Sequence, residues 1–172
     1  MAIVKILYDN GADINATNSV RKTPLHLASA GGPHFSSGQN LIPPAEGEDG
    51  AAAAAAGAGS SAEHAAGGTV DGNTAMITLL VRLGANLEAA DLEGNTPLIA
   101  AAKRGNHLAV QTLLTLGSRI YAQNIRGHTA LHVSAFLHQL PVVRQLVRWD
   151  AEIGKLKYMM DTSGRSAYDM AA

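Results

Sequence analysis

The sequence predicts an all-α fold, a solenoid in which pairs of short helices stack side by side. One block of residues recurs at an interval of 33, and in each copy the apolar side chains follow the 3.6-residue period of a helix. Hydrophobic residues make up 47% of the chain but aromatic residues only 4%, so the core has to be built from small and aliphatic side chains. Such side chains favour closely packed helices.

The first helix of each unit begins at a threonine. Thr96 and Thr129 lie 33 residues apart, whereas Thr23 precedes Thr96 by 73, which is one period and 40 further residues. A threonine hydroxyl caps the first turn of a helix, and proline, which follows Thr23 and Thr96, suits the first helical position. Inward-pointing leucines (Leu25, Leu98 and Leu131) and pairs of small residues follow, which let neighbouring helices approach closely.

The second helix of each unit carries one apolar stripe and stops near a glycine. Gly11, Gly84 and Gly117 mark these stops, where a left-handed residue is needed. Each lies 12 residues before the next threonine, so the 40 further residues fall between Thr23 and Gly84, at about 33–72. The stripes are Val4, Leu7 and Tyr8; Ile77, Leu80 and Val81; Val110, Leu113 and Leu114; and Val143, Leu146 and Val147.

These units resemble ankyrin repeats. The residues that carry the resemblance are Thr-Pro-Leu-His at 23–26, the small-residue pairs, Val-x-x-Leu-Leu at 110–114 and Gly-Ala-Asp at 11–13. The resemblance implies an ankyrin solenoid with β-hairpin-like fingers between units, and a structural hydrogen bond from His26 and His132 to the backbone. The units are a partial repeat at 1–22, a repeat at 23–95 interrupted by a disordered insertion at 33–72, a repeat at 96–128, a repeat with a long finger at 129–165, and the start of a further repeat at 166–172. Since both ends fall inside a repeat, we expect a piece of a longer array whose end faces self-associate.

Some units depart from the repeated pattern. Arg21 stands where the other fingers have a glycine, which predicts a distorted first turn. Asp150 replaces the glycine that ends the second helix. Thr129 and Ser166 are 37 residues apart, so the last finger is longer by four.

The insertion is rich in Ala, Gly, Ser and Pro and holds almost no large apolar residue, so it cannot build a core. We interpret it as a solvated tether rather than a loop docked on the array. It carries five acidic residues and neither Lys nor Arg, which leaves the repeats more basic than the net charge of -1 suggests. The acidic residues are Glu46, Glu48, Asp49, Glu63 and Asp71.

Several classes of function are excluded by composition and spacing. Without cysteine there is no thiolate zinc site or cysteine nucleophile, and an intracellular setting is indicated, the cytoplasm with the nucleus as the alternative. Near-neutral charge argues against nucleic-acid binding, and no apolar run reaches the roughly 20 residues of a membrane span. His128 and His132 are four apart, yet no carboxylate or thiolate completes a metal set. We predict no catalytic, cofactor or metal site.

The resemblance implies that a protein partner contacts the fingers and the concave face formed by the first helices. Phe136 and Leu137 are the most informative positions there, because their counterparts one period earlier are the charged Lys103 and Arg104. Either they contact a partner, or a longer neighbouring finger or a further segment covers them. The candidate partner-binding residues are Lys103, Arg104, Arg119, Tyr121, Arg126, Phe136, Leu137 and Tyr158.

We therefore predict a protein–protein interaction module, a scaffold or adaptor whose partner has an acidic or apolar surface. Two alternatives stay open. The chain is the regulatory or substrate-recruiting segment of a larger enzyme or channel whose working domain lies elsewhere, or it is a spacer without a partner on its concave face.

Overall fold

Four of the helices in the described part of this chain begin where a polar side chain caps the first turn. In the computed structural model, which describes residues 2–31 and 72–171, the hydroxyls of Thr23, Thr96 and Thr129 each accept a hydrogen bond from the backbone N–H three residues later. The Asn106 side chain does the same at another helix start, 3.1 Å from the N–H of Ala109. The helices are α1 (Ala2–Asp9), α2 (Pro24–Ser29), α3 (Gly72–Arg82), α4 (Pro97–Lys103), α5 (His107–Thr115), α6 (Ala130–Phe136) and α7 (Leu140–Trp149), followed by a 3₁₀ turn at Leu156–Tyr158.

The helices stack in two rows. Within a unit α2 packs on α3, α4 on α5 and α6 on α7. Between units α2, α4 and α6 form the first row, and α3, α5 and α7 form the second. The predicted all-α solenoid is confirmed, including the pairing of α2 with α3 across the insertion. The insertion itself, predicted to be disordered, lies outside the described residues except for Gly72, which begins α3.

The core sits between the two rows. Leu25, Leu98 and Leu131 are buried as predicted, and so are the small residues that follow them, except Ala28, which is half-buried. Because each of these small side chains leaves room for a helix of the next unit, any large replacement would overpack the stack.

The apolar stripe of the second helices is buried in α5 and, except for the half-buried Val81, in α3, but only in part at the two ends of the array. Leu7 and Tyr8 of α1 are exposed, because among the described residues α1 has no first helix packed against it. Val147 of α7 is also exposed, since no described helix follows α7 in its row; Val142 and Leu146 face the core instead. The prediction that the whole stripe is buried is therefore wrong at Leu7, Tyr8 and Val147.

Each finger is closed by one Asn or Asp side chain. The Oδ1 atom accepts two backbone N–H groups, two and four residues later, at 2.8–3.2 Å. Neighbouring fingers are joined by single backbone bonds, such as that from the N–H of Ile125 to the carbonyl of Glu93 at 3.1 Å. The fingers are thus hairpin-like, although among the described residues only one isolated β-bridge, Met160 with Ser166, is formed. The closing residues are Asn18, Asp91, Asn124 and Asp161.

The first finger keeps the turn of the others despite its arginine. Arg21 has φ of 58°, close to the 73° of Gly94, and both N–H groups bond the residue three positions earlier at 2.9 Å. The predicted distortion is wrong: the arginine adopts the left-handed conformation, which costs a residue with a Cβ about 1 kcal/mol.

The long last finger is held by Asp150. Its buried carboxylate accepts the N–H of Leu156 at 2.7 Å and the hydroxyl of Tyr121 at 2.5 Å. Leu156 is itself buried, so the four extra residues fold back onto the array. Beyond this finger, residues 167–171 form turns rather than the predicted first helix, although Ser166 and Asp169 still make a cap-like pair.

Candidate functional site

The fingers and the first row of helices line two adjoining hollows of about 850 and 370 Å³, together called here the concave groove. Four residues border both hollows and form the centre of the groove: Glu93, Asn95, Lys103 and Leu137. Its first end is lined by residues of the first finger, α2 and α4, and its second end by α6 and the last two fingers.

The centre of the groove holds an ion pair. Lys103 Nζ lies 3.4 Å from Glu93 Oε2, and the side-chain amide of Asn95 donates to the same oxygen at 2.8 Å. The Asn95 hydrogen bond, together with the charge of Lys103, lowers the pKa of the Glu93 carboxyl below its usual range. Glu93 is therefore ionised at neutral pH and neutralises Lys103.

The ends of the groove carry cations. Lys22 and Arg104 border the first end, and Arg126 and Arg165 the second. Among the described residues neither Arg104 nor Arg126 forms an ion pair. Arg165 is held by the buried carboxylate of Asp161, 3.0 Å from its guanidinium.

Asp161 also organises the second end. The backbone N–H groups of Arg165 and Ser163, together with the Arg165 guanidinium, hold the pKa of the Asp161 carboxyl at about 2. His128 Nε2 lies 3.5 Å from the same carboxylate. One buried acid thus fixes the last finger and the position of Arg165 at the groove.

Apolar side chains lie open between the cations. Phe136 is 60% exposed and Leu137 38%, so within the described residues the longer finger does not cover them. Leu27, at the first end, is 52% exposed. The sequence reasoning missed Leu27, although the period places it with Ala100 and Val133, which line the same groove.

The structure gathers five of the eight predicted partner-binding residues in this groove: Lys103, Arg104, Arg126, Phe136 and Leu137. Arg119 and Tyr121 line a separate hollow of about 630 Å³, and Tyr158 borders none of the three hollows. Tyr158 is exposed, with the Lys157 ammonium 4.9 Å from the centre of its ring.

Tyr121 is engaged inside the array. Its hydroxyl donates to Asp150, which raises the pKa of the phenol, and the Lys155 ammonium lies 5.5 Å from the centre of its ring. The sequence shows an aromatic residue in a finger, but only the packing of the long finger shows what it contacts.

The predicted structural role of His26 and His132 is confirmed. In each histidine, Nδ1 accepts a hydrogen bond from the backbone N–H of the capping threonine, so the ring proton is on Nε2. Nε2 donates this proton to a backbone carbonyl of the next finger. The acceptor is Asn95 for His26, at 2.9 Å, and Arg165 for His132, at 3.3 Å. Burial lowers the pKa of both rings. These histidines fasten first helices to the fingers that follow them. In residues 2–31 and 72–171 no three side chains are grouped as metal ligands.

The repeat pattern also decides the family. A family model for ankyrin repeats, in three copies, matches residues 62–157, more than half of the chain. The chain belongs to the ankyrin-repeat family. Ankyrin repeats generally mediate protein–protein interactions and are typically not catalytic. No curated protein matches the chain. In the part of the ankyrin array that the structure describes, no helix has both the length and the apolar character to cross a bilayer.

Proposed function

We propose that this ankyrin array is a protein–protein interaction module that binds its partner in the concave groove. One observation carries the proposal: the groove exposes Phe136 and Leu137 between Arg104 and Arg126, neither of which forms an ion pair with a described residue. Exposed aromatic and arginine side chains grouped in a concavity are the usual composition of interface hot spots.

The charges of the groove support a partner with acidic and apolar groups. Five basic side chains border the groove, of which Lys103 and Arg165 are paired with acids. Lys22, Arg104 and Arg126 form no ion pair with a described residue. Unpaired cations at the rim speed the encounter with an acidic surface, whereas the apolar side chains supply most of the affinity.

The groove is preformed. Its first-row helices are capped at Thr23, Thr96 and Thr129, and the fingers are joined to one another by backbone hydrogen bonds. A partner therefore orders few groups of this chain on binding, which keeps the entropic cost low. The absence of cysteine supports an intracellular setting for the interaction.

The test compares the variant Phe136→Ala plus Arg104→Ala with Tyr168→Ala, in which an exposed aromatic side chain outside the groove is removed. For a partner first identified by affinity capture, calorimetry is expected to show a loss of about 30-fold or more for the double variant, since a hot-spot residue contributes about 2 kcal/mol. The control is expected to bind within about twofold of wild type. Helical content, measured by circular dichroism, should not change. Unchanged affinity of the double variant would reject the groove, and Tyr158, Arg119 and Tyr121 would then become the next candidate contacts.

A further inference from the structure

We propose that Glu93 makes the concave groove selective for extended partner segments that carry acidic side chains at both ends of an uncharged apolar centre. The inference rests on the proposed function and adds to it the chemistry of the partner and the residue that determines specificity. It follows from the order in which charges and apolar side chains occur along the groove.

Glu93 lies at the middle of the groove rather than at its rim. It borders both hollows, as do Lys103 and Leu137. Cations lie on either side of this centre, with Arg104 at the first end and Arg126 at the second. A segment that runs along the groove therefore meets positive charge at the first end, the Glu93–Lys103 ion pair at the centre, and positive charge again at the second end.

The Glu93 carboxylate is fixed where it lies. The side-chain amide of Asn95 donates to Glu93 Oε2 at 2.8 Å, and the backbone carbonyl of Asn95 accepts a hydrogen bond from His26 Nε2 at 2.9 Å. Asn124 donates to Asn95 Oδ1 at 2.9 Å, so Asn95 is held from three sides. Moving the Glu93 carboxylate aside for an incoming acid would therefore cost its hydrogen bond from Asn95 and its ion pair with Lys103.

An acidic side chain at the centre of the partner would meet Glu93 and have to compete with it for Lys103. Like charges brought together in this way act as a repulsive element, which is how interfaces reject near relatives of their partner. At the two ends this penalty is smaller, because within the described residues neither Arg104 nor Arg126 forms an ion pair that an incoming acid would have to break.

The apolar side chains complete the pattern. Leu137 is exposed at the centre, and Phe136 and Leu27 are exposed toward the second and the first end. Uncharged aliphatic or aromatic groups of the partner can cover these side chains without desolvating a free charge. The recognised segment is thus acidic, apolar, acidic.

The test uses two synthetic peptides of identical composition, so that net charge and hydrophobicity are matched. One carries two aspartates at each end of a Leu-Phe-Leu centre, and the other carries the four aspartates in the middle. Binding to the full chain is measured by fluorescence anisotropy for wild type, Glu93→Gln and the control Glu152→Gln, which changes an exposed acid outside the groove. Glutamine keeps the shape of Glu93 and an acceptor for Asn95.

Wild type and Glu152→Gln are expected to bind the end-acid peptide at least about tenfold more tightly than the centre-acid peptide. In Glu93→Gln the ratio is expected to fall below about threefold, because the centre-acid peptide gains affinity while the end-acid peptide changes by less than about twofold. A ratio that Glu93→Gln leaves unchanged overturns the role of Glu93.

The outcomes separate this inference from the proposed function. Equal affinity of wild type for both peptides, together with a loss of both in Phe136→Ala, overturns the selectivity and leaves the groove as the binding site. Absence of binding to either peptide overturns both. A third peptide copies residues 41–50 of this chain, a stretch that holds three of the chain's own acids. If it binds more tightly than the end-acid peptide, the groove recognises the chain itself, and the assignment to a separate partner is overturned.

Discussion

Replacing Gly94 with alanine tests whether neighbouring fingers support one another. Gly94 has φ of 73°, and a Cβ built there would lie 2.8 Å from the backbone nitrogen of Ile125 and 3.0 Å from its Cγ2. Gly164 occupies the same place in the last finger with the same φ, yet a Cβ there meets nothing within 4 Å. The two glycines share their conformation and differ in their surroundings.

The expected cost differs accordingly. At Gly164 alanine costs only the left-handed conformation, about 1 kcal/mol of unfolding free energy. At Gly94 a clash with backbone is added, and overpacking typically costs a further 1–3 kcal/mol, so about 2–4 kcal/mol is expected in total. Ile125 has to move away, which also weakens its 3.1 Å hydrogen bond to the carbonyl of Glu93.

Urea unfolding followed by circular dichroism at 222 nm measures both costs, and hydrogen exchange at the Ile125 amide locates the damage. We expect Gly94→Ala to lose protection at Ile125, and Gly164→Ala to keep it. Gly127→Ala should behave as Gly94→Ala does, because its Cβ would lie 2.7 Å from the nitrogen of Thr162. Equal costs for Gly94→Ala and Gly164→Ala would refute the idea that close approach between fingers stabilises the array.

Three further predictions concern stability. Burial lowers the pKa of His26 and His132, so below about pH 6.5 the unfolded chain binds protons that the native state does not bind. The unfolding free energy should therefore be constant above about pH 7. It should fall below about pH 6.5, by at most about 1.4 kcal/mol per pH unit for each ring. Urea unfolding at pH 5 and 7.5 measures the fall, and a variant with glutamine at both positions should show little of it. Asp150→Ala should lower the unfolding free energy by about 2–4 kcal/mol, because it leaves the buried N–H of Leu156 without its acceptor and removes the hydrogen bond from the Tyr121 hydroxyl. Limited proteolysis should then cut the long finger of this variant. A finger that stays uncut would contradict the prediction. Arg21→Gly should raise the unfolding free energy by up to about 1 kcal/mol by relieving the left-handed arginine, and a thermal melt that shows destabilisation would argue against strain there.

Much of the fold follows from local patterns that the sequence displays directly. Threonine caps, small residues after an inward leucine and glycine at the helix stops act over a few residues and recur at one period, so helix starts and core positions are predictable from the sequence. The resemblance adds the hydrogen bonds of His26 and His132. The same reasoning misses the exposure of Leu7 and Val147, because burial of a stripe depends on a neighbouring helix and not on the stripe itself.

The candidate site, too, could be predicted from the sequence only in part. Phe136 and Leu137 stand out in the sequence because their counterparts one period earlier are charged, and both prove to be exposed in the groove. The central position of Glu93 does not stand out, because it depends on distances to Lys103 and Asn95 that are set by how a finger lies over a helix.

By itself, then, the sequence determined the repeat, the helices and the residue types of the candidate site, since these depend on short-range backbone preferences and periodic burial. Tertiary structure alone decided that Tyr121 turns inward to Asp150, that Arg21 keeps a glycine's turn, and that Glu93 divides the groove. Each of these depends on contacts between residues far apart in the chain, whose geometry emerges only when the units stack.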